Sequence, residues 1–115
     1  MFDFKKLSVY QKAKDFANET NVLISNHKFD KHVNDQFKRA SFSIMLNIAE
    51  GSSRFSNKDR KNFMVIARGS AFECSAIIDF LNDNHAISKE DFIRLESKLE
   101  EISKMLFALI RNLEQ

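Results

Sequence analysis

The stretch Arg39-Ala-Ser-Phe-Ser-Ile-Met-Leu-Asn-Ile-Ala-Glu-Gly-Ser-Ser-Arg-Phe-Ser56 predicts a helix, a glycine stop and the start of a second helix. Its apolar residues recur at helical spacing and cover more than one side, which is typical of a helix buried between two neighbours. Its polar residues also share one side of the helix: Arg39, Ser43, Asn47 and Glu50. Such a polar row inside an apolar helix indicates either a structural network or a ligand site.

Composition around this stretch favours an all-α chain. The 115 residues contain no proline and only two glycines, Gly51 and Gly69, so helix-breaking residues are almost absent. The length fits a single domain over residues 1–115. The longest apolar run, Met105 to Ile110, is far shorter than the roughly 20 residues that a membrane helix needs, so no membrane partner is expected. With no signal peptide in its opening residues and Cys74 as its one cysteine, the chain is expected to be cytoplasmic.

Hydrophobic periodicity and capping signals divide the chain into four helices. They are predicted from Ser8 to about Asn26, about Lys31 to Glu50, Ser56 to about Asn84, and Ser88 to about Leu113. Ser8, Ser56 and Ser88 each begin a capping box, and Gly51 is expected to end the second helix in the left-handed conformation. The short connections imply antiparallel neighbours. The sequence therefore predicts an antiparallel up-down four-helix bundle.

Apolar residues exceed what the core of one such bundle uses. A second set of apolar residues lies along two of these helices. It comprises Phe42, Met45, Leu46 and Ala49 in the second helix, and Met105, Phe107 and Ile110 in the last helix. Exposed patches of that size are rare on soluble monomers, so we expect a homo-oligomer. A large Phe-rich core is the alternative. Gly69 is expected to allow a neighbouring backbone to come close.

The chain lacks the residue patterns of common catalytic and metal sites. No glutamate is followed three residues later by histidine, as in di-iron bundles, and no Cys-x-x-Cys or His-Glu-x-x-His zinc pattern occurs. Two separated glycines cannot form a Gly-rich phosphate loop. No arginine precedes a histidine at the spacing found in small helical ribonucleases. We therefore expect no enzyme, no catalytic residue, no metal and no cofactor.

One candidate site is a polar network across the second and third helices. Its residues are Arg39, Ser43, Asn47, Glu50, Ser70 and Glu73. We interpret it as a salt-bridge network that fixes the register of the two helices. The alternatives are a polar site open to a ligand, and an enzyme that uses Arg39, Glu50 and Glu73.

The other candidate site is a basic cluster that begins at the start of the third helix. Its residues are Arg54, Lys58, Arg60, Lys61 and Arg68. Cations beside the free N–H groups of a helix start suit a phosphate, so the cluster is a candidate nucleic-acid-binding surface. A merely solvated face is the alternative, because the net charge of +2 is low for a dedicated duplex binder. Phe55 is expected to pack under the turn rather than to stack on a base.

The chain resembles a known family in three segments: Phe4-Lys-Lys-Leu-Ser-Val-Tyr-Gln-Lys-Ala13, Asn47-Ile-Ala-Glu-Gly51 followed by Arg54 and Ser56, and Phe63-x-x-Ile-Ala-x-Gly-Ser-Ala-x-Glu73. The family comprises four-helix-bundle proteins encoded in intervening sequences of bacterial 23S rRNA genes and often labelled S23 ribosomal proteins. The resemblance implies a ring-shaped homo-oligomer, typically a pentamer. It also implies kinship with the accessory protein of diversity-generating retroelements, a basic barrel that binds nucleic acid and a reverse transcriptase.

Residues and resemblance together predict a non-enzymatic oligomeric bundle. It would bind structured RNA or a nucleoprotein partner, such as a reverse-transcriptase-like protein, through the basic cluster. The alternative function is a protein-interaction scaffold that makes no contact with nucleic acid.

Overall fold

Four α-helices follow a short 3-10 helix, Asp3–Lys6, in a computed structural model that describes residues 2–115. They are α1 (Ser8–Ser25), α2 (Lys31–Ser52), α3 (Asn57–Asp83) and α4 (Lys89–Leu113). Each helix packs against the next one along the chain, and α1 closes the bundle against α4. The bundle is 43 Å long and 25 × 22 Å across. The predicted up-down four-helix bundle is confirmed.

The core takes one stripe of side chains from each helix, at the spacing of three and four residues that places them on one side. In α1 this spacing predicts a stripe whose seven members are all buried: Val9, Ala13, Phe16, Ala17, Thr20, Leu23 and Ile24. The largest fully buried apolar side chains are Phe16, Phe37, Ile44, Ile48, Ile78, Leu95, Leu99, Ile102 and Leu106. Thr20 is buried among them, and its hydroxyl donates a hydrogen bond of 3.0 Å to the carbonyl of Phe16, so it leaves no unpaired polar group.

Side-chain caps begin α3 and α4 as predicted. The hydroxyl of Ser56 accepts a hydrogen bond of 3.1 Å from the N–H of Asp59. The hydroxyl of Ser88 accepts one of 3.0 Å from the N–H of Asp91. Each bond satisfies one of the backbone donors that a helix start leaves without an intrahelical partner.

The capping prediction for Ser8 is wrong. Leu7 occupies the capping position of α1, and no side chain accepts a hydrogen bond from the helix start. Gln11 instead donates its side-chain amide to the carbonyl of Lys5 at 3.0 Å. This bond ties α1 to the 3-10 helix before it, an element that the sequence pattern did not predict.

The prediction that Gly51 ends α2 in the left-handed conformation is also wrong. The helix continues to Ser52, and neither glycine has a positive φ. Gly51 is required for space, because a Cβ there would lie 2.9 Å from the Cβ of Phe63 and 3.0 Å from the Cε of Met64. Gly51 is therefore a point of close approach between α2 and α3 at the corner of the bundle.

Gly69, on α3, has open space around it, in contrast to Gly51. A Cβ at this position would meet no atom within 4 Å, so the close approach expected there is not made within the bundle. The apolar spacing of the third helix predicts an inward-facing Ile66, but this side chain is 51% exposed, and Met64 is buried in the core instead. The side of α3 that carries Gly69 and Ile66 therefore faces away from the core.

Candidate nucleic-acid interface at the corner of α2 and α3

The loop of residues 53–56, called the corner loop below, joins α2 to α3 at one end of the bundle. Its first N–H groups continue the helical hydrogen bonding, from Ser53 to the carbonyl of Glu50 at 3.1 Å and from Arg54 to that of Gly51 at 3.2 Å. From α3, Arg60 donates its Nε to the carbonyl of Arg54 at 2.6 Å. The loop is therefore held by bonds to both helices.

Arg54 anchors this loop with its side chain as well. Its guanidinium lies 4.6 Å above the ring of Phe63, within the range of a cation–π interaction. It also forms an ion pair of 3.2 Å with Glu50. Glu50 sits in the last turn of α2, where the helix dipole disfavours a carboxylate. The position of Glu50 therefore predicts a cationic partner, and the guanidinium of Arg54 is that partner.

Phe55 does not pack under the turn, and that prediction is wrong. Its side chain is 100% exposed, although the residues on either side of it are held by hydrogen bonds. The ring lies in the predicted turn, but it faces solvent instead of packing under the turn. Sequence carries no signal for the difference, because an apolar residue in a short turn is compatible with either position.

The other members of the basic cluster have different surroundings. Lys61 forms an ion pair of 3.0 Å with Glu114, which joins the start of α3 to the chain end beyond α4. Lys58 is exposed and forms no ion pair within residues 2–115. Arg68 lies apart from the corner, with its guanidinium 4.7 Å from the ring of Phe72 and 5.7 Å from that of Phe107.

The centre of the predicted polar network lies between α2 and α3. The hydroxyls of Ser43 and Ser70 share a hydrogen bond of 2.9 Å across the two helices. Asn47 donates its side-chain amide to the carbonyl of Ser43 at 2.8 Å and to its hydroxyl at 3.0 Å. These three small polar side chains therefore satisfy one another and link the helices.

The charged members of the network lie at its ends and do not meet one another as one group. Arg39 forms an ion pair with Glu73, and their side chains are 59% and 38% exposed. Glu50 is paired with Arg54 in the corner instead. The structure therefore separates Glu50 from Arg39 and Glu73, the three residues that an enzymatic interpretation would bring together.

No other group in the described residues forms an evident reactive centre. Cys74 is fully buried, and this burial raises the pKa of its thiol to about 12, so the nucleophilic thiolate is scarce at neutral pH. Within residues 2–115, no three His, Cys, Asp or Glu side chains are arranged to hold a metal ion. None of the helices in that range combines the length and apolar character that crossing a membrane requires.

Charge is distributed unequally along the bundle axis. We define the corner half as residues 2–16, 42–70 and 101–115, and the far half as residues 17–41 and 71–100. The corner half carries 11 Lys and Arg against six Asp and Glu, a formal charge of +5. The far half carries seven against ten, a formal charge of −3. The low net charge of the chain therefore conceals a basic end and an acidic end.

Large apolar side chains are exposed on the sides of α2 and α3 that face away from the core. We call this set the outer apolar face, and it consists of Phe42, Leu46, Val65, Ile66, Phe72 and Phe80. Each of these side chains is between 47% and 56% exposed. The enlarged core offered as the alternative to self-association therefore does not absorb them within one bundle.

Comparison with known proteins agrees with this architecture. The model of the 23S rRNA-intervening sequence protein family matches residues 5–108, which include α1 to α3 and most of α4. The chain is also similar to the crystal structure of a protein with unknown function from the S23 ribosomal protein family of Bacteroides thetaiotaomicron. That similarity has a TM-score of 0.83 and 27% identity, and covers 89% of this chain and 97% of the other. No curated protein matches by sequence. From the extent of the family match, the chain belongs to the 23S rRNA-intervening sequence protein family.

Proposed function

We propose that this protein is a non-enzymatic, self-assembling helical bundle that binds RNA through the corner half. The observation that carries the proposal is the separation of charge, +5 at the corner half against −3 at the far half. A basic surface attracts the phosphate backbone, which supplies much of the affinity of RNA-binding proteins. The basic end is thus the end that a polyanion would approach.

Lysines without a protein partner are the side chains best placed to bind phosphates. Five lysines of the corner half are exposed and form no ion pair within residues 2–115: Lys5, Lys6, Lys14, Lys58 and Lys104. Lys58 follows the corner loop directly in α3, and Lys5 and Lys6 lie on the 3-10 helix, which packs against α2. Arg54 and Lys61, in contrast, are paired with carboxylates of the chain. We therefore assign the main phosphate contacts to Lys5, Lys6 and Lys58, and a supporting role in the loop to Arg54 and Arg60.

The test is the affinity for a labelled RNA hairpin at about 50 mM and about 200 mM salt, measured by fluorescence anisotropy. The triple variant Lys5→Ala/Lys6→Ala/Lys58→Ala removes three corner charges. The matched control, Lys28→Ala/Lys38→Ala/Lys89→Ala, removes three exposed charges of the far half. We expect the corner variant to bind more weakly and to lower the slope of log affinity against log salt by about 2 to 3. Equal losses in both variants, or no binding by the wild type at low salt, would contradict the proposal.

Self-assembly is supported by the outer apolar face. Side chains of this size that are half exposed in one bundle would be buried against another copy. Light scattering should therefore give a mass that is a multiple of the 13.4 kDa of one chain. Phe42→Asp should shift that mass toward one chain, whereas the control Val22→Asp, an exposed apolar position on α1, should not. A wild-type mass of one chain would contradict self-assembly.

The pentameric ring and a reverse-transcriptase-like protein partner stay predictions. A scaffold without nucleic-acid contact is the second candidate function, and the outer apolar face is the observation that favours it. The two functions are separated by the same measurements. A scaffold would assemble normally and would bind no RNA at low salt.

A further inference from the structure

We infer that Phe55 is a stacking platform for an unpaired base, so that the RNA bound at the corner is single-stranded or looped. This inference rests on the proposed function, which gives the corner half its affinity for phosphates. It adds a property of the ligand that a basic surface alone does not specify, namely whether its bases are paired or unpaired.

The first observation is the degree of exposure of the ring. Phe55 is 100% exposed, whereas the other large exposed apolar side chains retain partial cover and range from 47% to 72%. Phe2, the most exposed of them, lies with its ring centroid 6.1 Å from that of Phe4, and the others lie on helices and keep about half of their surface covered. The Phe55 ring has no such packing, although exposing an apolar ring of this size to water is unfavourable.

The second observation is that the loop holds Phe55 in this position. The preceding residue, Arg54, is fixed through its carbonyl by Arg60 and through its guanidinium by Phe63. The following residue, Ser56, is fixed as the cap of α3. The ring is therefore presented to solvent by a hydrogen-bonded turn, which lowers the entropy that a ligand would lose in ordering it.

The third observation is the chemistry around the ring. A phenylalanine offers no hydrogen bond, but its flat face stacks on any base, and exposed lysines of the same half can contact the flanking phosphates. Lys58 lies three residues along the chain, in the first turn of α3. In a duplex the base faces are already stacked on one another, so this combination favours an unpaired base. The charge of +5 in the corner half favours a polyanion over an apolar pocket on a protein partner.

The experiment uses the absence of tryptophan from the chain. The variant F55W carries a single fluorescent reporter at the corner, and F80W is the matched control, since Phe80 is 56% exposed and lies in the far half. Each is titrated with an oligouridine of about 12 nucleotides and with a blunt duplex of the same length. We expect the single strand to quench the emission of F55W and to leave that of F80W unchanged, and the duplex to quench neither.

Affinities measured in parallel separate the inference from the proposed function. Phe55→Ala should weaken binding of the single strand by roughly 5- to 100-fold, with the salt dependence and the duplex affinity unchanged, whereas Phe80→Ala should bind as the wild type does. If the wild type binds salt-dependently but Phe55→Ala keeps its affinity and F55W is not quenched, stacking is overturned while RNA binding stands. Equal quenching by the duplex would also overturn it. An emission shift of F55W with protein concentration alone would assign the ring to a protein interface. No binding of any RNA would overturn both proposals.

Discussion

The α1–α4 and α2–α3 interfaces of this bundle are built on different principles. Ion pairs span the α1–α4 interface at four places: Lys12–Glu101, Arg94–Glu19, Lys98–Asp15 and Lys98–Glu19. The α2–α3 interface has one ion pair, Arg39–Glu73, and adds to its apolar packing the glycine at the corner and the contact between Ser43 and Ser70. Small residues let the α2 and α3 backbones come close, whereas long charged side chains bridge α1 and α4 from outside.

This difference distinguishes the α1–α4 side, whose ion pairs favour contact with solvent, from the α2–α3 side, whose apolar residues favour contact with a protein partner. Charged groups lose hydration when they are buried, so a surface of ion pairs is best left in solvent. The outer apolar face on α2 and α3 has the opposite preference. The side formed by α1 and α4 is therefore the one that we expect to remain exposed when copies of the chain assemble.

Filling the corner should have the largest effect on the contrast between the two interfaces. Gly51→Ala places a Cβ 2.9 Å from Phe63 and 3.3 Å from the carbonyl oxygen of Arg60, so α2 and α3 must separate. We expect the free energy of unfolding to fall by about 1–3 kcal/mol, the usual effect of overpacking a core. Urea denaturation followed by circular dichroism measures it. An unchanged midpoint would show that the two helices are not held close at this point.

The second glycine provides the matched control, with the opposite sign. Gly69→Ala meets no atom within 4 Å and removes a residue that disfavours helices, so we expect stability to rise by about 0.5–1 kcal/mol. The comparison must be made at protein concentrations where assembly is the same for both variants. A loss of stability only in the assembled state would mean that a second copy approaches Gly69.

A substitution at the ionic α1–α4 interface should lower the free energy of unfolding less than a substitution at the corner does. Lys98 contacts both Asp15 and Glu19, at 2.9 Å and 2.8 Å, but its side chain is 36% exposed. Lys98→Met should therefore cost only about 0.2–1 kcal/mol, and the loss should shrink at high salt. Lys104→Met, which removes an exposed lysine of α4 without an ion pair in the described residues, should have no comparable effect. A loss as large as that of Gly51→Ala would contradict the contrast between the interfaces.

Acidification tests the same interface with the smallest expected effect. The hydrogen bond from Lys98 holds the pKa of Asp15 below its ordinary value of 3.8. Since this pKa is lowered in the folded state, the resulting stabilisation is present above pH 3.8 and is lost as the pH falls below that value. Urea midpoints at about pH 7, 5 and 3 should show a smaller acid-induced loss in Lys98→Met than in the wild type. Equal losses would mean that other carboxylates control acid unfolding.

The parts of the fold that were predicted correctly depend on local signals. The buried stripe of α1 follows from spacing alone, and the caps at Ser56 and Ser88 follow from the residues beside them. The conformation of Gly51 differs from its prediction because a glycine near a helix end usually adopts a positive φ, whereas the close approach to α3 exists only in the folded bundle. The exposure of Phe55 likewise depends on the folded loop, in which Arg60 and Ser56 hold the residues beside it.

In the candidate site, too, local patterns in the sequence predicted less than the folded structure shows. The sequence brought the basic residues of the corner together, because they are neighbours along the chain. It could not show that Lys61 is paired with Glu114 from the other end of the chain. Nor could it show that Arg68 lies over two aromatic rings, one of them on α4. Which cations are available to a ligand is decided by contacts between distant residues.

The unequal charge of the two halves gives the bundle, which is 43 Å long, an electric dipole along its axis. An isoelectric point of 8.7 suggests a protein that only a cation exchanger retains near neutral pH. We expect an anion exchanger to slow it as well at low ionic strength, because the acidic end can face the resin. In the electric field of a polyanion, this dipole experiences a torque that turns the corner loop toward the polyanion before contact. Orientation in advance raises the fraction of encounters that are productive, so the charge pattern should affect the rate of association more than the net charge suggests.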